Sequence, residues 1–183
     1  HPERVSSLTT IAVPPAWVEF GVPPLFQPFL LPGLGEALLA VSPFVGTGSP
    51  LGIRRYYESL FHAPRTIRPE RLRPVLEACL EVTGDPAHQR AFLNTMRAAH
   101  AMAKSPMREE LRALAGQAPF PVMLIGGKQD PMFPAPLVEE GARAVPGAEL
   151  HLLDACGHFP TWEQPDRVAE LVRNFLLAEA VRA

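Results

Sequence analysis

With 183 residues, of which 47% are hydrophobic and 20% charged, the chain is long enough to bury a core and too apolar to stay disordered. Lys and Arg number 17 against 19 Asp and Glu, and the resulting net charge of -2 leaves no basic footprint, so no nucleic-acid partner is expected. The longest apolar stretches, such as LLPGLGEALLAV at 30–41, are broken by Pro and Gly. They fall short of the roughly 20 residues a membrane span requires, so no membrane association is expected.

The chain opens on His1 with no charged-then-apolar leader ahead of it, and its two cysteines, Cys79 and Cys156, lie too far apart to resemble a disulfide framework. A reducing, cytoplasmic location is the expectation. The segment RVSSLTTIAV at 4–13 is rich in β-branched residues and closed by Pro14-Pro15, the pattern of a strand. From 16 to about 117 prolines are frequent and strand patterns few, which predicts short helices joined by turns.

Within that middle region, 52–61 and 68–82 are predicted helices, the second stopped by Thr83-Gly84 and either kinked or started by Pro74. Asp85-Pro86 supplies an N-cap and a first-turn proline for a helix that carries Ala87, Ala91, Phe92, Met96, Ala99 and Ala103 on one stripe. Beyond it the pattern changes. Residues 122–125 form a continuous apolar run, as in a parallel strand covered on both faces. A helix over 137–145 stops before Pro146-Gly147, and 149–153 reads as another strand. Val168, Leu171, Val172, Phe175 and Leu176 then fall at i, i+3, i+4, i+7 and i+8, an apolar helical stripe that would pack on a sheet. This alternation predicts an α/β fold with right-handed crossovers between parallel strands.

Reacting groups in such sheets gather beyond the carboxyl ends of the strands. Asp130 follows the first of the two strands and His158 the second, so both are predicted to emerge at one edge. A neutral imidazole can take a nucleophile's proton at one nitrogen while a carboxylate holds the proton on the other and stabilises the transient imidazolium.

Two stretches, PVMLIGGKQDPMFP at 121–134 and CGHFPTWEQP at 156–165, carry a resemblance to the acid and histidine loops of the α/β-hydrolases, and the lead-in HPERV at 1–5 resembles the approach to the strand after the nucleophile helix. The resemblance implies the C-terminal part of that fold: a partial parallel sheet of about three strands built from 1–15 and 118–183, with 16–117 as an inserted helical cap, or lid. It implies Asp130 and His158 as acid and base of a catalytic triad. Met132 would contact substrate beside them, Phe159 and Trp162 would line or support the pocket or else belong to the core, and Tyr56 or Tyr57 would reach substrate from the cap, as cap tyrosines do in related epoxide hydrolases, with helical packing the default for at least one of the two. No cofactor and no metal are implied.

The nucleophile of this family sits in G-x-S-x-G. None of Ser6, Ser7, Ser42, Ser49, Ser59 and Ser105 has glycines two residues to either side, and no aspartate does. The nucleophile is therefore expected outside this chain. A small, fairly apolar substrate is expected, cleaved at an ester or C–C bond with a serine, or at an epoxide or haloalkane with an aspartate. The contrasting expectation is a truncated, inactive, binding or dimerising protein. About three strands would leave an unpaired edge, so either a missing N-terminal segment or a homodimer partner is expected beside it.

Other motifs carry less. GTGSPLG at 46–52 resembles a phosphate loop, but no strand precedes it and a turn is the better reading. His151, Asp154, Cys156 and His158 have the composition of a metal cluster, but strand alternation is expected to aim His151 and Asp154 apart. Cys156 lies only two residues before His158, which disfavours it as a nucleophile.

Overall fold

The computed structural model describes residues 1, 4–13, 15–19, 21–22, 24–41 and 50–182. Chain order runs from strand β1 (Leu8–Ile11) through a 3-10 helix (Pro24–Leu30) to helices α1 (Leu34–Val41), α2 (Pro50–Leu60), α3 (Pro69–Gly84), α4 (Pro86–Ala103) and α5 (Met107–Ala115). Strand β2 (Val122–Gly127), helix α6 (Ala135–Arg143), strand β3 (Glu149–Leu153), the short helix α7 (Pro160–Glu163) and helix α8 (Pro165–Arg182) complete it. Two compact units result: His1–Phe20 with Leu60–Ala63 and Pro106–Ala183, and Gly21–Ser59 with Pro64–Ser105.

The first unit holds a parallel sheet in the order β1-β2-β3, the partial α/β sheet expected. Leu8 to Ile11 pair in register with Val122 to Ile125, and Met123 to Gly127 with Glu149 to Leu153. Strand β2 is buried along its whole length, as a central strand must be when helices cover both faces. Its side chains alternate between two cores. Met123 and Ile125 pack with Val168, Leu171 and Phe175 of α8, while Val122 and Leu124 pack with Ala115 of α5 and Val138 of α6.

Strand β1 is shorter than the β-branched run. Its ladder starts where Leu8 N–H donates to Pro121 O, and it ends because Ala12 takes a left-handed φ of 52° while still donating to Ile125 O. Of the predicted stripe in α8, Val168, Leu171 and Phe175 are buried, but Leu176 is 49% exposed, so the packed face closes at Phe175.

In the second unit Asp85 caps α4 as predicted, its Oδ1 accepting N–H groups from Ala87 and His88, and these bonds hold its carboxyl below the usual range. Pro74 lies inside α3 without ending it. Phe26, Phe29, Phe92, Tyr56 and Tyr57 form a string of tilted and edge-on ring contacts, and the Cys79 thiol donates to Tyr57 Oη. Arg97 grips Glu36 through both carboxylate oxygens and also donates to Leu31 O. That grip, with Gly33 N–H, holds the Glu36 carboxyl down at about 2. Among the described residues no single helix is long and apolar enough to cross a membrane. Residues 46–49 of the glycine-rich stretch, Ser49 included, lie outside the described residues.

Candidate active site

Two loops leave the carboxyl ends of β2 and β3. The first begins at Gly127, where an added Cβ would stand 2.2 Å from Gly157 O and 2.4 Å from Cys156 O. Only glycine lets the two loops approach this closely. Lys128 N–H then donates to Leu153 O and Gln129 N–H to Cys156 O, while Gln129 Oε1 accepts Cys156 N–H. The acid loop is thus laced to the histidine loop before Asp130 is reached.

Asp130 is buried, with its side chain 1% exposed. Oδ1 accepts the N–H groups of Met132 and Phe133, closing a tight turn, and Oδ2 lies 2.9 Å from His158 Nδ1. In the pairing of a carboxylate with a neutral imidazole, this contact puts the hydrogen on Nδ1 and leaves Nε2 as the acceptor nitrogen. Asp130 therefore serves as turn residue and imidazole partner at once, with a different oxygen for each task. It is not the N-cap of α6, a position held by Pro134.

The imidazole of His158 is flanked by Phe133, with ring centroids 5.4 Å apart, and Phe159, at 4.9 Å. Phe159 also contacts Trp162 and Phe61. Of the predicted site residues, Asp130, His158 and Phe159 are in mutual or serial contact. Met132 meets Asp130 through its backbone N–H, and Trp162 packs on Phe159 and Phe61. Tyr56 belongs to the second unit, where its ring meets Phe26 and Tyr57.

Burial pushes the Cys156 thiol up to about 12, and the Glu163 and Asp130 carboxylates add to that effect. A thiol held protonated is a poor nucleophile, which agrees with the disfavoured role. Asp154 follows β3 rather than lying in it, so alternation does not govern its direction. It pairs with Lys128 at 2.7 Å, while His151 stands 3.5 Å from Glu149. Among the described residues no group of three or more His, Cys, Asp or Glu side chains is placed to hold a metal ion.

Sequence reasoning passed over Phe133, Gln129, Glu163 and the segment Leu60–Ala63. The first three lie inside the quoted motifs, one to five residues from Asp130 or His158, and their proximity was the available signal. For Leu60–Ala63, which accepts His158 N–H at Leu60 O, the sequence holds no signal because the contact spans nearly a hundred residues.

Known proteins resemble this chain over part or all of its length. A 2-hydroxy-6-oxononadienedioate/2-hydroxy-6-oxononatrienedioate hydrolase of Pseudomonas sp. is 29% identical over 124 residues, 68% of this chain and 41% of that protein. A 2-hydroxymuconate semialdehyde hydrolase of Pseudomonas putida is 38% identical over 71 residues, 39% of this chain and 24% of that protein. Among solved structures, the 2-hydroxy-6-oxo-6-phenylhexa-2,4-dienoate hydrolase of Rhodococcus sp. strain RHA1 superposes with a TM-score of 0.63 at 23% identity, covering 100% of this chain and 57% of that one. The chain thus spans about two fifths of the first relative's length and under three fifths of that solved chain. The sequence profile of the alpha/beta hydrolase family matches residues 8–171, a stretch that takes in all three strands and both loops, and the chain belongs to that family.

Proposed function

We propose that this chain contributes the acid and base of a Ser-His-Asp triad, Asp130 and His158, to a hydrolase of small, fairly apolar substrates. The observation that carries the reading is the 2.9 Å contact between His158 Nδ1 and the buried Asp130 carboxylate. With Nδ1–H held by Asp130, Nε2 can take the proton of a nucleophile and return it to the leaving group. Base catalysis of this kind contributes about 10²- to 10⁴-fold.

The bond cleaved is an ester or a C–C bond beside a carbonyl, and the names of the relatives, hydrolases of 2-hydroxy-6-oxo dienedioic and trienedioic acids and of 2-hydroxymuconate semialdehyde, favour the second. The nucleophile comes from a segment outside this chain, and residues 16–117 act as the cap over the substrate, with Phe159, Met132, Trp162 and Tyr56 as its contacts. Strand β1 pairs on one side only among the described residues. Its other edge is the place for that segment, or for a second copy of the chain.

The test compares the chain alone with the chain joined to a nucleophile-bearing N-terminal segment, assayed on p-nitrophenyl esters and on a 2-hydroxy-6-oxo dienoic acid. The chain alone is silent; the joined protein turns over and loses turnover in His158→Ala. Turnover by the chain alone that vanishes in His158→Ala overturns the claim that the nucleophile lies outside.

A further inference from the structure

The histidine loop is held by a series of hydrogen bonds to its backbone. Gln164 Nε2 donates to Asp154 O, Gln129 Oε1 and its N–H take both backbone groups of Cys156, and His158 N–H donates to Leu60 O. Gly157 N–H donates to Glu163 Oε1 at 2.7 Å. The other oxygen of the same carboxylate, Oε2, accepts His62 N–H at 2.8 Å. One side chain thus joins the residue before His158 to the segment on which the histidine itself rests.

That segment and the loop are flush. A Cβ on Gly157 would stand 2.4 Å from Leu60 O, 2.7 Å from His62 N and 3.0 Å from Glu163 Oε1, so there is no slack for the loop to shift toward Leu60–Ala63. Movement the other way is opposed by His158 N–H on Leu60 O and by the Glu163 bridge. Of the side chains that hold the loop backbone, Glu163 is the charged one, and hydrogen bonds to an ionised acceptor are about twice as strong as neutral ones. It is also short-tethered. Glu163 is the last residue of α7, which starts two residues after His158, and α7 is fixed by the fully buried Pro160 and by Trp162 N–H and Glu163 N–H on Phe159 O.

We infer that Glu163 is a positioning residue: its carboxylate, bridging Gly157 N–H and His62 N–H, sets the placement of the His158 imidazole against Asp130. The role of that placement in turnover rests on the reading of His158 as the base, but the placement itself can be measured without turnover.

The readout is the low-field proton resonance of His158 Nδ1–H in the 183-residue chain, together with amide exchange at Gly157 and His62. Glu163→Gln keeps one acceptor oxygen and turns an NH₂ toward the second N–H, so one of the two amides loses protection. Glu163→Ala loses both, and the Nδ1–H resonance shifts or exchanges about tenfold faster or more, while the remaining amide dispersion stays intact. An unchanged His158 resonance in both folded variants overturns the inference. So does loss of the fold in both, which would make Glu163 a residue of the unit's stability and not of the loop's placement. If the Glu163 variants move the resonance while His158→Ala leaves a joined, active protein unaffected, the positioning stands and the proposed base does not.

Discussion

The sheet unit and the helical unit are held together in different ways. Around β2 and β3 the ties are backbone to backbone, or carboxylate and amide to backbone, and they close gaps with no room for a methyl group, as at Gly127 and Gly157. In the helical unit ties between two side chains stand beside such backbone contacts: rings packed edge to face, Arg97 on Glu36, a thiol on a phenol. Ties between two side chains can be lengthened or rotated more readily than ties to a backbone held without slack. Small changes in the sheet unit should therefore act on the site, and changes of equal size in the helical unit should act on stability by small, separable amounts.

The largest expected effect is on chemistry. Asp130→Asn in an active, joined protein keeps an oxygen for the N–H groups of Met132 and Phe133 but presents an NH₂ to Nδ1, which reverses the imidazole tautomer. Turnover should fall about a thousandfold or more, with the thermal midpoint changed far less. The measurement is kcat and thermal midpoint on the same sample. Retained turnover with a lower midpoint would leave Asp130 with the turn as its only task.

Next comes Gly127→Ala, whose added methyl would have to displace the backbone of Cys156 and Gly157. The expected cost is about 3 kcal/mol, near the upper end for overpacking, because neither neighbour is the free end of a flexible side chain. Urea unfolding with an unchanged slope would measure it. A cost under about 1 kcal/mol would mean that the two loops are not locked to each other.

These two positions also mark what a sequence can and cannot disclose. Strand β2, strand β3 and the buried part of α8 were legible because burial writes a period or an unbroken apolar run into the chain, and the Asp85 cap was legible because its chemistry is local. That Asp130 and His158 meet at one edge was legible through their places after strands. The doubled use of Asp130 was not, since nothing in Asp-Pro tells which oxygen serves the turn. Nor was the seat of His158 on Leu60–Ala63, because a backbone carbonyl can be supplied by any residue type. The 3-10 helix Pro24–Leu30 has neither period nor cap to announce it.

In the helical unit, Asp85→Ala should lower stability by the worth of one side-chain cap, and the loss should appear as a lower urea midpoint without any change at the site. The Glu36–Arg97 pair is exposed and screened, so its effect is smaller and best seen through pH. Because the folded carboxyl lies at about 2 and the ordinary value is 4.5, its contribution is complete above 4.5 and lost as pH falls from 4.5 toward 2. Glu36→Gln should flatten that part of the stability profile and leave it unchanged above pH 6.

The smallest expected change has the opposite sign. Gly84 was expected to act with Thr83 as the stop of α3, the role in which glycine takes a left-handed turn after the last helical residue. In the structure Gly84 is itself the last helical residue, and among the described glycines only Gly33 and Gly147 have positive φ. The stop lies one residue on. Pro86 disfavours the helical region for the residue before it, and Asp85 accordingly sits extended at φ -108° and ψ 120°. An alanine Cβ at position 84 would find nothing within 4 Å. Gly84→Ala therefore removes backbone freedom from the unfolded chain and gains helix propensity with no steric cost, and should stabilise by about 0.5 kcal/mol, less than a mid-helix exchange because the position is terminal. A destabilisation of similar size would show that the helix ends on the glycine after all; a gain places the stop at Asp85-Pro86, where the same aspartate that ends α3 begins α4.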